Sequence, residues 1–318
     1  MKNMEYFKRY GIFAVLLVLL IFFSATSKNF LVASNIMTIA RQVSMLGIAS
    51  VGMTFVLLLG GIDLSVGSTI TLVNILAAYL MVKIGMNPVI ACLIAVAVST
   101  LIGFLNGLII AKIKMPPLIV TFAMQIIVEG IAYLICQGLP IFGFPKWFTF
   151  LGQGYVGIIP IPVIIMVIIL VIGGFIMNET YFGRFFYAVG GNEEAANLSG
   201  INVNKVKYLV YTLAGLFAGL AGVVMLSRTN SGQVLAGKGF EFDCITACVL
   251  GGVSVNGGVG KISNVVAGVL ILGVLSNGMV LLNVSQFLQM VIKGVVLMAA
   301  VGFDCIQKNR KSKIVRVA

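Results

Sequence analysis

Long apolar runs alternate with short polar connections along the whole chain. After a leading run over Gly11–Phe23, nine more read as helices: 36–59, 66–83, 88–111, 118–136, 158–177, 208–226, 243–258, 262–283 and 287–304. Most approach the roughly 20 apolar residues that a helix needs to cross hydrocarbon. The pattern predicts an all-α, polytopic membrane protein of about ten transmembrane helices. The run at 243–258 is short and glycine-ended, so a partial or re-entrant helix is expected there. The leading run follows Lys2, Lys8 and Arg9 and looks like a signal peptide, but Ser24-Ala25-Thr26 is a poor cleavage site and more spans follow. A retained first span is the reading adopted.

One connection departs from the rest. Gly60-Gly61-Ile62-Asp63-Leu64-Ser65-Val66-Gly67-Ser68 sets one of nine acidic residues between two apolar runs. A carboxylate in such surroundings is costly and usually functional. Glycines let the chain turn sharply, and Ser65 and Ser68 can bond freed backbone groups. The stretch predicts a break between two helices, with Asp63 capping the second. Asp63 reads as a cap or gate residue ahead of a direct ligand.

The order of runs suggests two halves, 36–136 and 208–304, that enter the membrane from opposite sides, an inverted repeat with 178–207 between them. Gly60–Ser68 would then correspond to Gly237-Lys238-Gly239-Phe240-Glu241-Phe242-Asp243.

Composition narrows the function. The chain is 60% hydrophobic and 9% charged, with mean hydropathy +1.13, whereas soluble domains carry roughly 25% charged residues. Residues 1–318 therefore form one transmembrane domain with no room for a soluble catalytic unit. A net charge of +12 would suit nucleic acid, but the basic residues gather in a few connections. With the N-terminus cytoplasmic, fourteen of the 21 fall inside and five outside, the positive-inside pattern. Both termini are expected in the cytoplasm, with the lipid bilayer and not nucleic acid as partner. Histidine is absent, and the five cysteines sit in or beside apolar runs. Cys244 and Cys248, four apart, read as small buried hydrophobes. No metal and no cofactor is expected.

Candidate chemistry lies in polar groups within the runs. Gln42, Asn74, Glu129 and Asp243, with Gly60, Gly61, Asp63 and Ser65, are the candidate residues of a path or gate. Arg41 lies near an outer end and can snorkel, and Lys293 is a conceivable partner for Glu129. Amides among aromatics suit an uncharged polyol better than an ion. The pairs Gly103/Gly107 and Gly215/Gly219 should let helices approach closely.

The inner connection holds a second signal. After Gly190, Asn192 is a candidate N-cap, Glu193 and Glu194 occupy the first turn, Ala195 and Ala196 follow, and Ser199-Gly200 ends the segment. A helix of about two turns outside the membrane is expected, its small face fitting a groove on a soluble partner. Two nucleotide-like patterns carry little. Gly232–Lys238 lacks the Ser/Thr of a phosphate loop, and Gly152–Gly157 precedes a membrane run instead of joining a strand to a helix.

Three stretches taken together resemble the membrane permease subunit of the ribose-type ABC sugar importers: Gly60–Ser68, Gly183–Ile201 and Gly239–Gly260. The resemblance covers nearly the whole chain. It implies a bacterial plasma-membrane permease with a path for a monosaccharide, such as a ribose-like pentose. It also implies a second permease copy (identical or related), a cytoplasmic ATP-binding subunit in two copies or as a double-domain chain, and an extracytoplasmic sugar-binding protein. Gly190, Asn192, Glu193, Glu194, Ala195, Ala196 and Gly200 would form the ATPase-coupling segment. The chain would be no enzyme, hydrolysis belonging to the separate ATPase. The alternative is an ion-coupled secondary transporter of a small polar solute, which the repeat and Glu129 would also fit. A membrane enzyme is disfavoured by the lack of histidine, clustered carboxylates or a nucleophile–base pair.

Overall fold

A computed structural model describes residues 2–317, with side chains described for 11–306. The basic ends used in the charge count (Lys2, Lys8, Arg9, Lys308, Arg310, Lys311, Lys313 and Arg316) have side chains outside that described set. The chain is all-α apart from one small hairpin. Helices α1 (Lys2–Thr26), α2 (Ala33–Leu58) and α3 (Val66–Val82) come first, then α4 (Pro88–Leu108), extended by a π-helical turn over Ile109–Ile113, and α5 (Pro117–Cys136). A surface unit follows: α6 (Lys146–Gln153) and the antiparallel strands β1 (Tyr155–Val156) and β2 (Ile159–Pro160). Then come α7 (Ile161–Glu179), α8 (Tyr181–Gly191), α9 (Glu193–Leu198), α10 (Val203–Thr229), α11 (Phe240–Leu250), α12 (Ile262–Leu281) and α13 (Gln286–Val317). Prolines open α4 and α5, where a missing N–H costs nothing and the ring pre-sets φ.

Among the described residues, seven helices are long and apolar enough to cross a membrane: α2, α4 with its π turn, α5, α7, α10, α12 and α13 up to Ile306. Gly11–Thr26 and Val66–Val82 are shorter apolar helices. The run 243–258 is a half-helix, as its short, glycine-ended pattern predicts. α11 has 11 residues, about 16 Å at 1.5 Å per residue, and Gly251 and Gly252 end it in a turn. The helical pattern stops there because Gly252 takes a left-handed φ of 79°. α8, which continues almost directly from α7, was not legible as a helix in the sequence.

Burial sorts the helices into layers. In α2, 89% of the apolar window is buried, against 22% in α5 and α7 and none in α13. α2 is therefore an interior helix, and α5, α7 and α13 present apolar faces outward, as lipid solvent allows. α1 packs on α12, with the buried Phe23 ring against Gly278.

The centre is built on small residues. A Cβ at Gly52 of α2 would lie 2.8 Å from the Ala214 Cα of α10. Gly103 and Gly107 of α4 face α10, where Gly215 stands 3.0 Å from the Gly103 position and the Tyr208 Cα 3.0 Å from the Gly107 position. The two glycine pairs thus face each other across the α4–α10 seam within one chain. Hydrocarbon gives helices no hydrophobic reason to associate, so close backbone contact supplies the attraction.

A side chain at this seam has nowhere to go. Gly215→Val should cost about 1–3 kcal/mol of overpacking and lower the melting temperature in detergent. Gly174→Val, on the open face of α7 with nothing within 4 Å, should leave it unchanged; fluorescence-detected thermal unfolding of both checks this.

Candidate functional site

The break between α2 and α3 is stabilised from both ends. Gly60 adopts φ 73°, and its N–H bonds the Leu57 carbonyl while the Gly61 N–H bonds that of Val56. This is the two-bond glycine stop that satisfies a helix's last carbonyls. On the far side, one Asp63 carboxylate oxygen accepts the Ser65 N–H at 2.9 Å and the Ser65 hydroxyl at 2.6 Å. α3 starts only after Ser65. Asp63 therefore does not cap the helix as expected; it closes an Asx turn ahead of it. The Asn106 amide of α4 donates to the Ser65 hydroxyl at 2.9 Å, and the Thr121 hydroxyl of α5 to the Ile62 carbonyl at 3.0 Å. Gly61 leaves room for the buried Tyr211 hydroxyl of α10. Three further helices thus hold the seven-residue connection 59–65.

Gly60 also opens a second junction. The Gly258 N–H donates to the Leu58 carbonyl at 2.8 Å. A Cβ on Gly257 would stand 2.7 Å from the Gly190 carbonyl, 2.8 Å from the Gly60 nitrogen and 3.0 Å from the Leu58 carbonyl. A Cβ on Gly190 would collide with that Leu58 carbonyl. The end of α2, the end of α8 and the loop after α11 therefore meet backbone to backbone. The Tyr187 hydroxyl of α8 donates to the Gly260 carbonyl at 2.6 Å, locking the same loop to α8. Burial pushes the Tyr187 phenol further above its ordinary pKa, so it stays a neutral donor at physiological pH.

From this junction α9 projects outward. Asn192 is its N-cap, accepting the Ala195 N–H at 2.9 Å, and Gly200 leaves it at φ 84°. Glu193 pairs with Lys207 at 2.7 Å, and Glu194 and Ala195 are exposed. Ala196 is buried against the core, so of the two alanines only Ala195 is open to a partner. The exposed apolar group is Leu198, at 84%. Beside it a cleft of about 690 Å³ is lined by Lys114, Glu193, Glu194, Asn197 and residues 200–204.

The connection before α11 runs along α3. The Gln233 N–H donates to the Asn74 side chain at 2.8 Å and the Gly237 N–H to the Thr71 hydroxyl at 3.0 Å. Gly67 then packs directly on Gly237 and on the Glu241 carboxylate. Glu241 is 3% exposed, with one oxygen 3.5 Å from the Gln125 amide and the other unpartnered. The two glycine–acid stretches that the sequence set in parallel are in contact. Asp243 pairs with Lys293 at 2.7 Å, so Lys293 is not the partner of Glu129. Glu129 lies half-buried on α5. Gln42 stands apart, sixteen residues from Leu58 on α2 and so about 24 Å away. Arg41 donates to the Gln153 carbonyl at 2.9 Å and lies 4.6 Å over the Tyr155 ring. Among the described residues no group of three or more potential ligands could hold a metal ion.

Sequence reasoning missed Asn106, Thr121, Tyr211, Glu241, Gly257 and Gly258 as site residues. Asn106 carried a signal, being an amide in an apolar run. Tyr211 carried none, because a tyrosine in a span reads as packing until its neighbour is known.

Residues 35–301 match the model of a family described as branched-chain amino acid transport system / permease component. The ribose import permease protein RbsC of Bacillus subtilis (strain 168) is 44% identical over 299 residues, covering 93% of this chain and 92% of that protein. The ribose import permease protein RbsC of Escherichia coli (strain K12) is 43% identical over 293 residues, 91% of each chain. The L-arabinose transport system permease protein AraH of the same strain is 40% identical over 306 residues, 96% of this chain and 93% of that one. No solved structure matches.

Two pairs of substitutions test the site's construction. Asp63→Asn keeps an acceptor for Ser65 and should leave thermal stability in detergent unchanged, whereas Asp63→Ala strands buried donors and should cost about 1–3 kcal/mol. Gly190→Ala should prevent folding or sharply lower the melting temperature, while Gly191→Ala, with nothing within 4 Å, should match the parent.

Proposed function

Because the chain belongs to the family of transport-system permease components, we propose a specific role for it: moving a ribose-like monosaccharide inward across the plasma membrane in step with ATP hydrolysis by a separate subunit. It is the multi-pass permease subunit of an ATP-binding-cassette sugar importer. The single observation that carries the mechanism is the backbone junction of Gly60, Gly190 and Gly257–Gly258. It ties the surface segment α8–α9 to the break ahead of α3 without any flexible side chain between them.

In this reading both termini and α9 face the cytoplasm. A cytoplasmic ATPase subunit seats its surface over Leu198 and the cleft beside it. An extracytoplasmic binding protein delivers the sugar at the opposite end, near α6 and the hairpin. A second permease copy completes the path, and identical copies are the simplest arrangement. Closure of the ATPase pair displaces α8–α9, and the junction passes the displacement to the connection at 59–65. Gly60, Gly61, Asp63, Ser65, Asn74, Glu129 and Asp243 act as path or gate residues, Gln42 contributing toward the outer end. α2–α5 and α10–α13 are the two halves of an inverted repeat. The chain needs no cofactor of its own.

Energy dependence tests this reading. Vesicles holding the permease, its ATPase subunit and its binding protein should accumulate ribose with ATP and without an ion gradient. Uptake driven by a sodium or proton gradient in vesicles lacking the ATPase would establish a secondary transporter instead. Leu198→Asp should lower ATP-driven ribose uptake by about tenfold, the loss of one buried apolar anchor, with the amount of folded permease unchanged; uptake equal to the parent would refute docking at α9.

A further inference from the structure

α13 is the least buried of the spanning helices, with none of its 286–306 window buried. Apolar packing alone holds it weakly. Val296, Leu297, Ala300 and Val301 lie against the core, all partly exposed. Among the described residues, its two polar attachments to other segments both land on α11 and the loop that follows it. Lys293 meets Asp243 at 2.7 Å, in the first turn of α11. The Asp304 carboxylate accepts the Ser254 hydroxyl at 3.0 Å and the Val255 N–H at 3.4 Å, just past the end of α11. The offset between partners is 50 residues at both attachments. The two segments therefore run parallel, pinned at points eleven residues apart on each.

What those pins hold matters. Ser254, in the grip of Asp304, receives the Asn256 N–H and bonds Val259 across the turn. That turn presents Gly257 and Gly258 to Gly190 and Leu58. At the other end, the α11 turn held by Lys293 also places Glu241 against Gly67, at the start of α3. The half-helix alone is short, with a glycine connection on each side. Tied at both ends to a long helix, it can move only as a body.

We infer that Lys293 and Asp304 are positioning residues that bind α11, the loop at 251–258 and α13 into one strut. The strut carries displacement from the glycine junction to the Glu241–Gly67 contact. The inference rests on the reading of α8–α9 as the ATPase-coupling segment. A half-exposed ion pair in hydrocarbon suits this use. Breaking it strands a charge, so the two segments stay together while the rest of the protein rearranges around them.

The test uses the assembled transporter in vesicles, with ribose as the probe, and reads ribose imported per ATP hydrolysed at matched amounts of complex. Lys293→Met and Asp304→Ala should each lower that ratio by about fivefold to tenfold, within the span of coupling changes that single residues produce. The conservative Lys293→Arg and Asp304→Asn should each keep most of it. A general folding defect would reduce the assembled amount, not the ratio. Ratios within about twofold of the parent for both Lys293→Met and Asp304→Ala, or a loss as large in Lys293→Arg, overturn the strut. A second reading is independent of transport: amide hydrogen exchange at 251–258 in the detergent-solubilised permease. It should quicken in Asp304→Ala and stay slow in Asp304→Asn; unchanged exchange in Asp304→Ala overturns the proposal. If the parent complex imports no ribose with ATP, the proposed function fails, while the exchange measurement still decides the strut.

Discussion

Backbone contact without side chains is the constraint on which this molecule depends. At Gly60, Gly190 and Gly257–Gly258 three segments distant in sequence approach until only peptide groups separate them. Nothing there can relax by rotating a side chain. The Leu58 carbonyl finds its donor in Gly258, so the last turn of an interior helix is satisfied by another segment's backbone. In a low-dielectric surrounding an unpaired carbonyl would cost several kcal/mol. The junction is therefore both a seal on the helix end and a stiff mechanical link. The glycine seam between α4 and α10 works on the same principle at the centre of the fold.

Polar groups inside the membrane region divide into two sorts. Asp63, Ser65, Asn106 and Thr121 bond one another or the backbone of the break, and their work is to hold an irregular segment where water is scarce. Of the six buried side-chain atoms without a partner among the described residues, two belong to Arg41 and Ser50 on α2, and the others are the Tyr211 hydroxyl, one Glu241 oxygen, the Asn74 amide nitrogen and the Asn106 carbonyl oxygen. These four border α3, the break before it and the start of α11. Unsatisfied groups are expensive in such surroundings. Their concentration where two helices are interrupted marks this region as the part of the fold with most to gain from another arrangement.

The corrections have two causes, one local and one tertiary. Asp63 closes a turn instead of capping a helix because Ser65, two residues on, supplies both an N–H and a hydroxyl within reach. Lys293 pairs with Asp243 instead of Glu129 because α13 runs beside α11. Ala196 turns inward while Leu198 turns out because a helix of six residues has its face chosen by whatever it rests on. The last two outcomes depended on which elements became neighbours, and local pattern carries no information about that.

By itself the sequence determined that the bilayer is the solvent, where most of the helices run, that α2 must stop at Gly60, and that Asn192 starts a short helix. These are consequences of chain composition, helix length and the conformational freedom of single residues, all local properties. It also marked three stretches as unusual. Only the tertiary structure decided that the three belong together. Gly60–Ser68 meets the loop after α11 through Gly60 and the start of α11 through Gly67, and Gly190 at the end of α8 packs on that same loop at Gly258. The contacts of Gly60 and Gly67 form across gaps of more than a hundred residues, and all of these contacts exist because glycines on all three segments leave the space that any side chain would occupy.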